Sequence, residues 1–314
     1  MTHKVLIITS VQKEFQQKVA EQHLPDIEIV APSEESEIQK HVSSADIIFW
    51  NPFTIAKYIQ DAESLKWVQS TFAWANALLE PGMKRDYTLT NVKDVFGWHM
   101  SEYTFAYILM LEKWVLWNIE NQANKHWDRH SYPTVCDKTI AIMGTGSIGK
   151  DIAKVAKAFG MKTFGYNTSG KNIEYFDEIF TQKTKKDFFA QADYLVSVLP
   201  DTIDTKWIID KEALSHMKAS SVVINIGRWA NVVEQDLIEA LKNNIVAWAV
   251  LDVFQTEPLP QDHAFWELEN VFITPHVSGM VEDNSRLIEI FTRNYKKFHA
   301  WEPLDYQVSF ERWF

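Results

Sequence analysis

A single cysteine, Cys136, stands in a chain of 314 residues. That excludes an intrachain disulfide and a multi-cysteine metal centre, and it fits a reducing cytoplasm. A lone cysteine of this kind reads as a small buried apolar residue before it reads as a reactive thiol. Positive charge is also in short supply. The 31 Lys and Arg against 42 Asp and Glu leave a net charge of −11, which suits neither a nucleic acid nor an anionic membrane surface. An anionic small molecule is still admissible, because one arginine can dominate a small pocket. No apolar run approaches the ~18 residues of a membrane span, and Met1-Thr-His-Lys4 leads straight into a strand, with no signal peptide expected. Internal repeats and low-complexity segments are missing too. What remains is a soluble, cytoplasmic protein.

The chain is long enough for two domains with separate cores. Hydrophobic residues at 46% and charged residues at 23% are ordinary for a globular protein, whereas 13 Trp and 19 Phe promise aromatic-rich cores or interfaces. Lys4-Val-Leu-Ile-Ile-Thr9 is a continuous apolar run, the pattern of a strand covered on both faces of a parallel sheet. Further strands are expected at 27–30, 46–50, 65–69 and 87–90. Helices are expected from Phe15 to Gln22, from Ser33 onward with acids in the first turn, and from Ile55 to Glu63. Such alternation predicts a small doubly wound α/β domain over residues 1–99.

A long apolar-rich helix is expected over 100–121, leading into a second domain over 100–284. Its centre is Thr139-Ile-Ala-Ile-Met-Gly-Thr-Gly-Ser-Ile-Gly-Lys150. Thr139 to Met143 read as a buried strand, and Gly144, Gly146 and Gly149 form G-x-G-x-x-G. Ile148, Ile152, Val155, Ala156 and Phe159 then recur at helical spacing up to Gly160. Glycines alone would mark any strand-to-helix turn. In this order they predict a dinucleotide site, with Gly144, Thr145, Gly146, Ser147, Ile148 and Gly149 binding the cofactor and its pyrophosphate on the free N–H groups of the new helix. Strands at 162–166, 194–199, 221–226, 246–251 and 271–274 follow, with helices at 185–190, 211–216 and 234–243. Six strands with crossovers make a Rossmann domain. The amphipathic stretch 283–300, with Leu287, Ile290, Phe291, Tyr295 and Phe298 on one face, is expected to return to the first domain as residues 285–314. The Rossmann domain would then be inserted into a smaller flavodoxin-like one, with two crossings forming a hinge.

Arg228, Glu257 and His276 each fall just after a late strand of the second domain, where a parallel sheet edges its ligand crevice. Each residue alone would read as a surface ion pair or a solvated histidine. Together with Gly144–Gly149, Asn225-Ile-Gly-Arg228, Leu251-Asp-Val-Phe-Gln-Thr-Glu-Pro-Leu-Pro260 and Thr274-Pro-His-Val-Ser-Gly279, they make the chain resemble the D-isomer-specific 2-hydroxyacid dehydrogenases, of the glyoxylate/hydroxypyruvate-reductase kind, over nearly its whole length. The resemblance implies hydride transfer between NAD(P)H and a small 2-oxo acid or D-2-hydroxy acid. It makes Arg228 the anchor of the substrate carboxylate and carbonyl, His276 the acid/base and Glu257 its partner. Physical chemistry agrees: a planar guanidinium suits an oxo-carboxylate, and a group titrating near neutrality suits the proton.

The same resemblance places Leu199, Pro200, Thr205, Ile226, Gly227, Asp252, His276, Ser278 and Gly279 along the cofactor, with Asp252 structural or cofactor-adjacent. It places Phe72, Ala73 and Trp74 against the substrate. Trp74 and Trp229 stand where the family often has glycine, and Trp229 is expected to crowd the site, cover the cofactor or close over the substrate. At the ribose position, where an acid would favour NAD, the chain has Asn167, followed by Thr168, Ser169 and Lys171. These residues tolerate a 2′-phosphate, so NADP(H) is favoured and NAD(H) remains open. The family is usually dimeric through its dinucleotide-binding domains, so a homodimer is expected, with 114–127 as a candidate interface. A nucleotide-sensing corepressor on the same fold is the rival reading. A formate-dehydrogenase-like activity is disfavoured by Glu257, which stands where that relative has glutamine.

Overall fold

The computed structural model describes residues 2–8, 12–280 and 284–311. In chain order the first elements are β1 (His3–Ile7), α1 (Gln12–Ala20), β2 (Ile27–Val30), α2 (Glu35–Val42), β3 (Ile47–Trp50), α3 (Pro52–Ala56), β4 (Trp67–Ser70) and β5 (Thr88–Thr90). There follow α4 (Gly97–Glu112), α5 (Val115–Ala123), β6 (Thr139–Met143), α6 (Ser147–Ala158), β7 (Lys162–Tyr166), β8 (Glu178–Phe180) and α7 (Lys185–Gln191). The last are β9 (Tyr194–Ser197), α8 (Lys211–His216), β10 (Val222–Asn225), α9 (Glu234–Lys242), β11 (Trp248–Leu251), β12 (Val271–Ile273) and α10 (Ser285–His299). The chain divides into two compact units, Met1–Val95 with Glu282–Phe314, and Phe96–Val281.

The first unit is built on a five-stranded parallel sheet in the order β2-β1-β3-β4-β5, the flavodoxin-like winding. Its apolar strands are covered on both faces, as their unbroken hydrophobic runs require. The C-terminal helix α10 belongs to this unit because its apolar face has partners there. Phe291 stacks on Phe49 at 4.5 Å and on Trp67 at 5.4 Å, and the Tyr295 hydroxyl donates to the carbonyls of Pro25 and Asp26 at 2.9 Å each. Phe49, Trp67, Phe291 and Tyr295 are fully buried, and each such ring contributes roughly 2 kcal/mol of burial.

The second unit is a seven-stranded parallel sheet in the order β12-β11-β10-β9-β6-β7-β8, with the reversal of winding between β6 and β9. Of its strands, the three-residue edge strand β8 is the one the sequence pattern does not announce, being too short to display a period. The helix expected over 100–121 is in fact two. Lys113 ends α4, and Trp114 takes a left-handed backbone (φ 51°) from which α5 starts afresh. Neither glycine nor proline marks that break. Within the first unit, the helix expected over 55–63 is displaced toward Pro52, with the Asn51 side chain capping it by accepting from Thr54 N–H at 2.8 Å. Cys136, expected to be buried, is exposed in the turn ahead of β6. No helix among the described residues is long and apolar enough to cross a membrane.

Candidate active site

In the second unit the carboxyl ends of β6 and β9 flank the point where the winding reverses, and the glycine turn leaves β6 there. Gly149 packs so tightly that an added Cβ would stand 1.9 Å from the Gly144 carbonyl oxygen, whereas one at Gly146 would meet nothing within 4 Å. Gly146 is also the N-cap of α6, and no side chain caps that helix. A helix start with free N–H groups beside open space is a place for an anion. On that ground the residues present fit a dinucleotide pyrophosphate.

The next turn, after β7, holds itself together. Asn167 is bonded to Thr145, Ser169, Gly170 and Lys171. In the loop after β9, the Thr205 hydroxyl donates to the Pro200 carbonyl at 2.6 Å, and Asn231 Nδ2 donates to the carbonyls of Pro200 and Thr205 at 3.1 Å each. Leu199 and Thr205 are buried. Asn231 was not singled out from the sequence, and its fully buried amide shapes this loop.

Arg228 follows β10 and is half-buried, with one Nη1 bond to the Gly227 carbonyl at 2.8 Å. Burial pulls its guanidinium down to about 10, against the opposing pull of Glu257 and Asp201. It is therefore a full cation at neutral pH. Glu257 lies beyond β11, where its Oε1 accepts the Phe254 N–H at 2.9 Å and its Oε2 meets His276 Nδ1 at 2.8 Å. Both side chains are open to solvent, at 47% for His276 and 37% for Glu257. With Nδ1 turned to the carboxylate, Nε2 is left to exchange a proton with a ligand.

What presents His276 is Asp252, fully buried at the end of β11. Its Oδ1 accepts from Thr274 Oγ1 at 2.5 Å and from Val277 N–H at 2.8 Å, and its Oδ2 accepts from Ser278 N–H at 2.9 Å. Because the Thr274 hydroxyl proton goes to Asp252, the Tyr103 hydroxyl, 2.6 Å from Thr274 Oγ1, is the donor there. Burial pushes the Tyr103 phenol well above its usual range, so it stays protonated for that role. His276 itself sits in a left-handed backbone (φ 57°), its N–H turned back to the Thr274 carbonyl at 3.0 Å. Tyr103 and Thr274 are the residues missed here. Thr274 lies in a recognised stretch, but only the fold brings Tyr103, far away in the chain, to it. Ile226 is buried with the strand end, and Gly279 is half-buried just beyond Ser278.

Trp229 does none of the three things expected of it. Its indole is buried in the core of this unit, stacked on Phe254 at 5.9 Å and edge-on to Phe265 at 5.8 Å. Through Phe254 it joins the Arg228 loop to the segment that carries Glu257. In the first unit, Phe72 is exposed and meets exposed Phe53 edge-on at 6.2 Å, while Ala73 and Trp74 are half-buried. The loop is braced from below: Asn91 Nδ2 donates to the Ala73 carbonyl at 2.7 Å, Gln69 Nε2 to the Asn91 carbonyl at 3.0 Å, and Asn294 Nδ2 to Gln69 Oε1 at 3.0 Å. These buried amides had no sequence signal beyond polarity at the ends of strands and inside a helix.

Among the described residues no group of three or more His, Cys, Asp or Glu could hold a metal. The family model described as D-isomer specific 2-hydroxyacid dehydrogenase, NAD binding domain, matches residues 105–278. A D-isomer specific 2-hydroxyacid dehydrogenase family protein from Aeromonas salmonicida has a similar structure, with a TM-score of 0.93 and 35% identity, covering 99% of this chain and 100% of that one. The NADPH-dependent glyoxylate/hydroxypyruvate reductase of Sinorhizobium meliloti, solved with NADP and sulfate, gives a TM-score of 0.87 at 26% identity over 100% of both chains. Glyoxylate/hydroxypyruvate reductase A of Serratia proteamaculans is 32% identical over 194 residues, 61% of each chain. The family match across the glycine turn and the strand ends, with a relative alike from end to end, makes this chain a member of the D-isomer specific 2-hydroxyacid dehydrogenase family and an NAD(P)-dependent oxidoreductase.

Proposed function

We propose that the protein reduces small 2-oxo acids of the glyoxylate or hydroxypyruvate type to D-2-hydroxy acids, preferring NADP(H) to NAD(H). The observation that carries this reading is the His276–Glu257 pair at 2.8 Å, in the same unit as a half-buried cationic arginine and an open, uncapped glycine turn. Arg228 takes the carboxylate and polarises the carbonyl oxygen through its fork of N–H groups. When bound, the nicotinamide supplies or accepts the hydride at the carbonyl carbon. His276 gives a proton from Nε2 to the carbonyl oxygen in reduction and takes it back in oxidation. Glu257 holds Nδ1–H and stabilises the imidazolium. The cofactor is held by Gly144–Gly149, the turn at 167–171, Leu199, Pro200, Thr205, and the strand ends from Ile226 to Gly279. The Sinorhizobium relative, described as NADPH-dependent, and Asn167 at the position of the ribose-binding acid support NADP(H).

The unit Phe96–Val281 serves as the dinucleotide-binding domain in this reading, and the other unit as the substrate domain. A homodimer is part of the proposal. Helix α5 buries none of its side chains, leaves Val115, Leu116 and Ile119 exposed, and adjoins a cavity of about 420 Å³ lined by Trp114, Trp117 and Trp248. A helix so exposed on its apolar side needs a partner. The cytoplasm is the proposed compartment, in keeping with one free thiol. The test is oxidation of NADPH and NADH at 340 nm against glyoxylate, hydroxypyruvate and bulkier 2-oxo acids, with His276→Ala as control. Turnover abolished in the control supports the reading. Tight cofactor binding with no turnover on any acid would refute it in favour of nucleotide sensing.

A further inference from the structure

Asn167 occupies the position that separates the two nicotinamide cofactors, yet its side chain has nothing left to offer a phosphate. An amide has two N–H donors and two acceptor lone pairs. Nδ2 donates to Thr145 Oγ1 at 3.1 Å and to the Lys171 carbonyl at 3.2 Å, while Oδ1 accepts the Gly170 N–H at 2.7 Å and the Ser169 hydroxyl at 3.2 Å. Ser169 is engaged too, since its one proton goes to Asn167 and its oxygen accepts the Lys171 N–H at 3.3 Å. The backbone N–H of Asn167 donates to the Phe180 carbonyl on β8 at 3.0 Å. Residues 167–171 are thus an Asx-type turn, clipped on one side to β8 and on the other to Thr145 in the glycine turn.

Thr145 is set for this role by its surroundings. Its methyl lies over Gly165 in β7, where an added Cβ would stand 2.7 Å from Thr145 Cγ2. The missing side chain at 165 lets the methyl pack down, which leaves Oγ1 facing the amide of Asn167. The side chains of Thr168 and Lys171 are exposed on the same turn, and neither makes a side-chain bond among the described residues.

The geometry points to Thr145 and Asn167 as positioning residues for the adenosine 2′-phosphate subsite, which shape the turn while Thr168 and Lys171 make the contact. This rests on the reading of the site as an NADP(H) site. It reassigns two of the expected contacts, Asn167 and Ser169, to building the turn, and gives the first variable residue of the glycine motif a part in cofactor choice.

The experiment is isothermal titration of the full-length protein, its Thr145→Val and Thr145→Ser variants, with 2′,5′-ADP and with 5′-AMP. Loss of one neutral hydrogen bond is expected to weaken 2′,5′-ADP about fivefold in Thr145→Val, with 5′-AMP changed less than about twofold and Thr145→Ser restored to the parent value. Equal weakening of both nucleotides, or no change for 2′,5′-ADP, overturns the inference. Hydrogen exchange at the Gly170 N–H provides a reading without ligand: it should quicken in Thr145→Val, and unchanged exchange sinks the positioning role. If the parent protein binds 2′,5′-ADP no better than 5′-AMP, the NADP(H) reading itself fails, and this inference with it. A parent preference that Thr145→Val leaves undiminished removes this inference alone.

Discussion

Two carboxylates leave the end of β11 five positions apart, Asp252 and Glu257, and they live in opposite surroundings. Asp252 is fully buried, and its two oxygens take a hydroxyl and two backbone N–H groups. Glu257 is open to solvent and takes one backbone N–H, with its other oxygen on His276. A carboxylate saturated by fixed donors cannot follow a proton through a reaction, but it fixes the chain around it. One with a single backbone tether and an imidazole partner can respond when that partner changes charge. Under the proposed mechanism this is a division of labour: the buried acid builds the turn that carries the histidine, and the exposed acid answers the histidine's charge.

That contrast can be broken at several points. Replacing the shared element should have the largest effect: His276→Ala is expected to lower kcat about a thousandfold, with the urea unfolding midpoint moved little. A clearly lowered midpoint instead would mean that His276 acts in holding the fold. Asp252→Asn comes next. An amide group would face the backbone N–H groups now accepted, costing about 1–3 kcal/mol in urea unfolding and lowering kcat as the turn loosens. Glu257→Gln should leave unfolding unmoved and reduce kcat roughly 10- to 100-fold. If the two variants lost stability equally, the division of labour would be wrong.

A pH series sharpens the comparison from the substrate side. Arg228 is a base whose value is pulled down to about 10 by burial, so its charge is complete below pH 9 and is lost as pH rises through 10. KM for the 2-oxo acid is expected to be flat from pH 6 to 9 and to climb above about 10, toward tenfold per further unit. A rise beginning near pH 8 would show that another group holds the carboxylate. The smallest effect belongs to Trp229→Phe, which keeps an aromatic ring against Phe254 and Phe265 and should cost under about 1.5 kcal/mol, with kcat falling severalfold as the Arg228 and Glu257 loops lose their common support.

Most of the architecture was legible because parallel strands buried on both faces leave unbroken apolar runs, and each winding unit repeats the pattern. The short edge strand β8 and the Trp114 break were not. Three residues cannot show a period, and a tryptophan in a left-handed conformation is a decision of tertiary packing, not local preference. At the site, motif spacing brought Arg228, Glu257 and His276 into view. Asn231, Tyr103, Gln69, Asn91 and Asn294 escaped it, because a buried amide or phenol reveals itself through partners distant in sequence. The place of Trp229 was open for a related reason: a large ring beside Arg228 looks the same in sequence whether it lies in the core or at the surface.

The left-handed backbone of His276 carries a consequence of another kind. At φ 57° the position suits glycine or asparagine better than most residues with a side chain. An exchange here is therefore felt through the backbone as well as the ring: glycine or asparagine leaves the turn unstrained, whereas a β-branched residue distorts it, so a variant's unfolding midpoint separates loss of the imidazole from loss of the turn.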